Sequence, residues 1–321
     1  LNVLIIGLGQ IGLQYDLKLD PKSYIYSHAR AFSESQYFSL IGGVDTNLES
    51  RKLLEKEYSV PSFASIEEAF SKTDKIDLVV LSANTEINYD LFHKIVENYQ
   101  IKAILHEKPL TNDYKKASKI VDICKERDID LFVNYIRRSD ISTSILKDKI
   151  SSGELGTKFK GVFYYTKGLK HNASHLVNLF EYWFGDLLSH HVTNFSDSIV
   201  DDENLTGCLK FKNLELNFHS LWKDAYAQFS FDLYSDKGLL RYEKGGTLIK
   251  WYGIVPHPGF SNSNLISSDY IEIENDMNFY QRNVVNELEN FFTQKPFKLC
   301  SGEDALITVK NIESILENKH V

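Results

Sequence analysis

Asn2-Val3-Leu4-Ile5-Ile6-Gly7-Leu8-Gly9-Gln10-Ile11-Gly12 is an apolar run that passes directly into G-x-G-x-x-G. Val3–Ile6 are strong β-formers that end at a glycine, and they predict a buried strand. In a dinucleotide-binding βα turn the three glycines have separate duties. Gly7 permits the tight turn, Gly9 lets the backbone approach a pyrophosphate, and Gly12 lets the next helix pack close to its strand. The phosphates then sit at the positive end of a helix. Gly7, Gly9, Gln10, Ile11 and Gly12 are therefore candidate cofactor-binding residues. A second strand, Leu40-Ile41-Gly42-Gly43-Val44, closes on Asp45. A carboxylate there can accept hydrogen bonds from both adenosine ribose hydroxyls and repels a 2′-phosphate, so the expected cofactor is NAD and not NADP.

Gly12 and Asp45 are separated by more than the usual ~20 residues. The excess has a visible origin. Pro21 cannot sit inside a helix, and Asp16-Leu17-Lys18-Leu19-Asp20-Pro21-Lys22-Ser23 carries no helical stripe. Tyr15 to Ser27 reads as a loop inserted in the first helix, which resumes at His28-Ala29-Arg30-Ala31-Phe32. This loop follows the first strand's C-terminal edge, where ligands bind, so Tyr15 and His28 are candidate substrate contacts. Arg51 reads as a solvated helix residue or as a contact for a 2′-phosphate, with the solvated reading preferred.

With 321 residues, 43% hydrophobic and 13% aromatic, the chain has room for one large or two ordinary globular domains. No run of 18 apolar residues exists, so no membrane span is predicted. The first residues form a strand and not a basic, apolar leader, and a cytoplasmic protein is expected. A net charge of −8 disfavours nucleic acid and anionic membranes as partners. Cys124, Cys208 and Cys300 are far apart and odd in number, which fits reduced thiols and no metal site. His190 and His191 are adjacent on a predicted strand and point to opposite faces, so they cannot chelate one metal.

The two halves of the chain have different grammar. Residues 1–135 alternate strands (Val3–Ile6, Leu40–Val44, Asp77–Ser82, Ala103–His106, Asp130–Tyr135) with helical stripes, the pattern of a parallel sheet covered on both faces. Residues 136–321 begin with a helix stopped near Gly153. Strands then follow one another at Lys158–Thr166, His191–Phe195, Leu205–Phe211, Leu214–Leu221, Gln228–Tyr234, Leu239–Glu243, Leu248–Tyr252 and Tyr270–Glu274. Helices are predicted at His175–Phe184, Asn278–Thr293 and Glu303–Glu317. The fold class expected is an α/β Rossmann dinucleotide-binding domain plus an α+β domain with a largely antiparallel open sheet. The last helix is free to pack back on the first domain. One face of an open aromatic-rich sheet needs cover, and a homodimer or homotetramer would supply it.

His106-Glu107-Lys108-Pro109 follows the strand at 103–106, where a lysine points into the ligand crevice of an open α/β sheet. Glu107-Lys108-Pro109, about 100 residues after a Rossmann glycine turn, resembles the E-K-P signature of the glucose-fructose oxidoreductase/inositol dehydrogenase (Gfo/Idh/MocA) family. The resemblance runs the length of the chain. Phe132-Val133-Asn134-Tyr135-Ile136-Arg137-Arg138 is similar to the strand entering "Y-x-R-R/F", and Ser152-Gly153-Glu154-Leu155-Gly156 to "G-x-L-G". His175-Leu176-Val177-Asn178 with Trp183-Phe184-Gly185 is similar to the catalytic helix "H-x-x-D…W-x-x-G", and Cys300-Ser301-Gly302-Glu303-Asp304-Ala305 to the start of the last helix.

The resemblance implies an NAD(P)-dependent oxidoreductase acting on a sugar, polyol or nucleotide-linked sugar. By it, Lys108 polarises the substrate oxygen, His175 is the acid/base, with His171 four residues earlier the alternative for proton transfer, and Ser82, Asn84, Glu107 and Lys108 join the cofactor set. Tyr135, Arg138, His171 and Asn172 join the substrate set, and no metal is implied. Three positions depart from the pattern: His171 and Asn178 stand where many members carry Asp, and Ala83-Asn84-Thr85-Glu86-Ile87-Asn88 replaces T-P-x-x-x-H. Two other readings stay open, a non-catalytic NAD-binding regulator and a reductase of C=C or C=N bonds.

Overall fold

The computed structural model describes residues 1–193 and 205–317. The chain divides into two compact units. Leu1–Ser139 with Asn278–Val309 forms one, and Asp140–Met277 with the chain from Lys310 onward forms the other.

In the first unit, β1 (Asn2–Ile6), β2 (Ser39–Val44), β3 (Ser62–Phe63), β4 (Leu78–Leu81), β5 (Ala103–His106) and β6 (Asp130–Val133) are all parallel. Their order is β6-β5-β4-β1-β2-β3. Helices α1 (His28–Ser33), α2 (Leu48–Tyr58), α3 (Ile66–Lys72), α4 (Thr85–Asn98) and α5 (Tyr114–Glu126) connect them. The strand interiors are largely apolar because both faces are covered. Alternate residues feed separate cores, Val3, Ile5, Val80 and Leu105 on one side and Leu4, Ile6, Val79 and Leu81 on the other. The strand order reverses between β1 and β4, which opens the ligand crevice of a doubly wound sheet at the strands' C-terminal ends.

The helix expected after the glycine turn is a single turn, Gln10–Gln14, and the chain becomes helical again at His28. The insertion predicted between them is present. Five residues give little macrodipole, so the turn's exposed backbone N–H groups are the anion-facing feature, in place of a full helix end.

In the second unit the chain forms α6 (Ile141–Ser151), β7 (Phe159–Tyr165), α7 (Ser174–Phe184), β8 (Leu187–Thr193) and β9 (Thr206–Phe211). It continues through β10 (Leu214–Ser220), β11 (Phe229–Ser235), β12 (Gly238–Glu243), β13 (Leu248–Pro256), β14 (Asn264–Ile266) and β15 (Ile271–Glu272). The sheet order is β14-β13-β12-β11-β7-β10-β9-β8, with β15 on β13. Its neighbours are antiparallel except β7 and β10. The strand expected over His191–Phe195 starts earlier, at Leu187, and Asn194 and Phe195 lie outside the described residues. Phe163, Phe211, Phe218 and Phe231 point to the inner face, where Phe180 of α7 lies 5.2 Å from Phe231 and 6.0 Å from Phe163 between ring centroids. The outer face is mixed, with Tyr164, Asn217 and Tyr234 beside a two-bond Arg241–Asp232 pair at 2.8–2.9 Å.

The chain then returns through α8 (Tyr280–Phe292), β16 (Cys300–Ser301, antiparallel to β6) and α9 (Gly302–Glu317). Val284, Val285 and Leu288 of α8 join the core of Val3, Phe32 and Phe132. Sequence order had placed 136–321 in the second domain, but Asn278–Val309 packs with the first unit. β16 is only two residues long, too short for an alternating pattern to announce it.

Candidate cofactor cleft and catalytic residues

The first unit carries a cleft of about 370 Å³ at the C-terminal ends of β1, β2 and β4. Gly7, Gly9, Asp45, Ser82 and Asn84 from the sequence reading line it, with Thr46, Ser65, Ile66, Leu91 and Lys94. Gln10, Ile11, Gly12, Glu107 and Lys108 are not in its wall. Gly7 has φ +99°, and a side chain there would meet Ala83 N at 2.5 Å. A Cβ on Gly9, by contrast, would meet no protein atom within 4 Å. The open space at Gly9 is where a dinucleotide's pyrophosphate fits. Ser82 Oγ donates to Gly7 O at 2.7 Å, so it braces the turn.

Asp45 is fixed from two sides. Leu8 N donates to Oδ2 at 2.7 Å and Asn47 N to Oδ1 at 2.8 Å. Each oxygen keeps a second lone pair for a ribose hydroxyl. Arg51 was read as solvated, but its Nη1 donates to Asp45 O at 2.8 Å and Thr46 O at 3.1 Å, so it props up the loop behind the carboxylate. The far wall starts with a capping box. Ser65 Oγ accepts from Glu68 N at 3.2 Å, and the Glu68 carboxylate accepts from Ala64 N at 2.8 Å. Lys94 of α4 pairs with Glu67 of α3 at 2.5 Å.

Lys108 lies two residues past the end of β5 and is half-buried; the Lys108–Pro109 peptide is cis. The Glu107 side chain is 13% exposed. Its Oε1 accepts from His28 Nε2 at 2.8 Å and Asn134 Nδ2 at 2.6 Å. Burial alone would push this carboxyl up, but His28, Asn134 and the Lys108 charge outweigh it and hold it below the usual carboxylate value.

Several expected substrate contacts are placed otherwise. His28 is fully buried against Glu107 and lines no surface. Tyr135 is 3% exposed in the core with Val133 and Cys300. Arg138, 6% exposed, donates from Nη2 to Asp304 at 3.0 Å, so its guanidinium pairs with an acid. These three residues sit at strand or helix ends, where periodicity does not say which way a side chain turns. Tyr15 is 52% exposed.

In the second unit, Lys167 and Gly168 take positive φ, +64° and +86°. The Gly168 carbonyl then accepts from Asn172 N and Ala173 N, which starts the helical turn Leu169–Ala173 leading into α7. Asn172 Nδ2 donates to Thr166 O at 2.8 Å, so this amide closes the loop upon itself. His171 is exposed, whereas His175, in the first turn of α7, is 7% exposed with its ring 6.3 Å from Phe229. Asn178 lies three residues on, on the same helical face. His190 and His191 lie on β8, and His190 Nε2 is 3.0 Å from Ser314 Oγ. Among the described residues no group of three His, Cys, Asp or Glu side chains is arranged to hold a metal, and no helix is long and apolar enough to cross a membrane.

Residues 1–135 match the family model described as "Oxidoreductase family, NAD-binding Rossmann fold" (GFO_IDH_MocA). The first 135 residues are thus similar to the NAD-binding domain of the Gfo/Idh/MocA oxidoreductases. No curated protein matches the sequence. Among solved structures, the WlbA dehydrogenase from Bordetella pertussis in complex with NADH and UDP-GlcNAcA is similar at 17% identity and TM-score 0.75, over 99% of this chain and 95% of that one. An oxidoreductase from Agrobacterium radiobacter in complex with NAD+, L-tartaric acid and magnesium is similar at 16% and 0.74, over 99% and 96%. A protein described as an NADPH-dependent oxidoreductase from Desulfitobacterium hafniense is similar at 16% and 0.77, over 99% and 95%. At these identities the likeness is one of fold.

The sequence reading singled out the glycine turn, Asp45 and Lys108, but not what surrounds them. Lys94 and Gln281 carried no sequence signal, being single polar residues on helix faces. Ser65 did carry one, because Ser65-Ile66-Glu67-Glu68 is a capping-box pattern.

Proposed function

We propose that the protein is an NAD-dependent oxidoreductase that moves a hydride between nicotinamide and a carbinol carbon of a sugar, polyol or nucleotide sugar. The observation that carries this reading is Lys108, two residues past the C-terminal end of β5, in a sheet whose cleft has the glycine turn and acid of an NAD site. Nicotinamide supplies the hydride acceptor or donor when bound. The Lys108 ammonium donates a hydrogen bond to the substrate oxygen, and the His175 imidazole takes or returns the hydroxyl proton. His171 orients the substrate. The ligands named with two similar structures, UDP-GlcNAcA and L-tartaric acid, both carry carbinol carbons, which supports the substrate class. Nicotinamide absorbance and fluorescence during a screen of sugars, polyols and nucleotide sugars test the proposal. Turnover supports it; NAD binding without turnover across the panel supports a regulator instead.

NAD is preferred over NADP in this reading, because Asp45 is pinned by Leu8 N and Asn47 N and cannot swing away from a 2′-phosphate. Asp45→Ser removes one close like-charge repulsion, on the order of 1–3 kcal/mol, and raises the NADP/NAD ratio of kcat/KM about 10–100-fold. Tighter wild-type binding of NADP than of NAD would remove Asp45 from this role.

The outer sheet face of the second unit is proposed as a self-association surface, giving a homodimer or homotetramer. One tyrosine of each of β7, β11 and β13 (Tyr164, Tyr234 and Tyr252) lies on that face, with Lys160, Asp232 and Lys250 on the same strands. Light scattering is expected to give a multiple of 36.9 kDa, and a monomer at micromolar concentration overturns this assembly.

A further inference from the structure

We propose that His28, Asn134 and Gln281 are positioning residues that lock the Glu107 carboxylate and so fix the aim of Lys108. The inference rests on the catalytic reading of Lys108. The four polar side chains close a ring. Gln281 Nε2 lies nearer to His28 Nδ1 (2.5 Å) than to Nε2 (3.1 Å). An amide nitrogen can only donate, so Nδ1 accepts, and the ring hydrogen sits on Nε2 and points at Glu107. Asn134 Nδ2 spends one hydrogen on Glu107 and the other on Gln281 Oε1 at 3.2 Å. Asn134, His28 and Gln281 are at most 2% exposed, so water cannot take over these bonds. Glu107 N also donates to Leu81 O at 2.9 Å, which fixes the backbone just before Lys108.

Three distant pieces of chain are organised to make this ring. The buried Asp16 carboxylate accepts from Tyr26 N (2.6 Å), Ser27 N (2.8 Å) and Ser27 Oγ (2.7 Å), and Arg30 Nε lies 3.8 Å away. That staple ends the insertion at Ser27, whose Oγ caps α1, and makes His28 the first helical residue. The insertion also holds α8. Ile25 N donates to Asn278 O, Gln281 N donates to Ile25 O, and Tyr26 stacks on Tyr280 at 4.7 Å and 9°. Tyr280 is close enough to Glu107 and Tyr15 that their charges, after its burial, push its phenol up. The insertion thus brings the His28 imidazole against Glu107 and Gln281 against that imidazole. Glu107 is left as a fixed charge one residue from the lysine.

The test needs no substrate. The rate of reductive methylation of Lys108 by formaldehyde and borohydride is read by peptide mass spectrometry, with exposed Lys102 as internal standard, in NAD-free protein. His28→Ala is expected to change the Lys108 rate at least threefold. His28→Gln, which keeps one donor and one acceptor, is expected to restore it. Gln281→Met gives a second entry if His28→Ala does not fold. An unchanged Lys108 rate in a folded His28→Ala or Gln281→Met protein overturns the proposal, as does a His28→Gln protein as altered as His28→Ala. If wild type turns over no carbinol, the catalytic reading fails while the labelling still decides the positioning.

Discussion

Lys108→Ala is expected to lower kcat by about 10²–10⁴-fold, and His175→Ala to do the same, with the Kd for NADH within a few-fold of wild type. The argument is one of position. The cleft that would hold the adenosine and pyrophosphate is built from β1, β2 and β4 and their loops, and neither residue is in its wall. Removing either is expected to leave cofactor binding intact, whereas in the proposed mechanism the substrate loses the group that polarises its oxygen or the one that carries its proton. The loss falls on kcat because those contacts strengthen as charge develops on the oxygen. Stopped-flow NADH binding alongside steady-state turnover separates the two. His171→Ala is expected to cost less, since an orienting imidazole carries no proton. If His171→Ala is the crippled variant and His175→Ala is near normal, the roles belong one helical turn earlier. Near-normal turnover in Lys108→Ala removes the dehydrogenase reading.

Gly9→Ala and Gly12→Ala are expected to fail in opposite ways. A Cβ at Gly12 would lie 2.0 Å from the Gly7 carbonyl oxygen, a backbone atom that cannot move without opening the turn between β1 and the helical residues after it. The turn is tied to β2 by Gly7 N donating to Val44 O and to β4 by Ser82, so opening it propagates into the sheet. Gly12→Ala should therefore lower Tm by roughly 5–10 °C, the response of a domain of this size to a loss of a few kcal/mol. It should also lose NADH binding. Gly9→Ala meets no protein atom, so its Tm should stay within about 1 °C of wild type. Its methyl occupies the space of the pyrophosphate, and NADH affinity should fall about a hundredfold. Tight NADH binding by Gly9→Ala would place the dinucleotide elsewhere.

Much of the first unit was legible because its signals are local. β1, the glycine turn, Asp45 and the E-K-P segment each lie in one short stretch, where strand propensity and glycine geometry leave few alternatives. The insertion could be read for the same reason, since Pro21 and the missing apolar stripe forbid helix within the stretch itself. In the second unit, alternation and turn residues gave strands and helices close to those observed, and the sheet's antiparallel character with them.

What the sequence left undecided depended on contacts between distant residues. α8 and β16 pack with the first unit although they follow the second in the chain, because burial of Val284 and Leu288 against Phe32 and Phe132 outweighs sequence proximity. His28 read as a substrate contact from its place after a loop. Gln281, 253 residues away, and Glu107 turn it inward. Arg51 read as solvated, yet two loop carbonyls claim it. A polar side chain's partner is chosen by whichever donor or acceptor the fold buries beside it, and unmet hydrogen bonds are too costly for that choice to stay open. The sequence by itself determined the fold class, the glycine turn, Asp45 and Lys108; tertiary structure decided which polar residues face the cleft and which only hold the others in place.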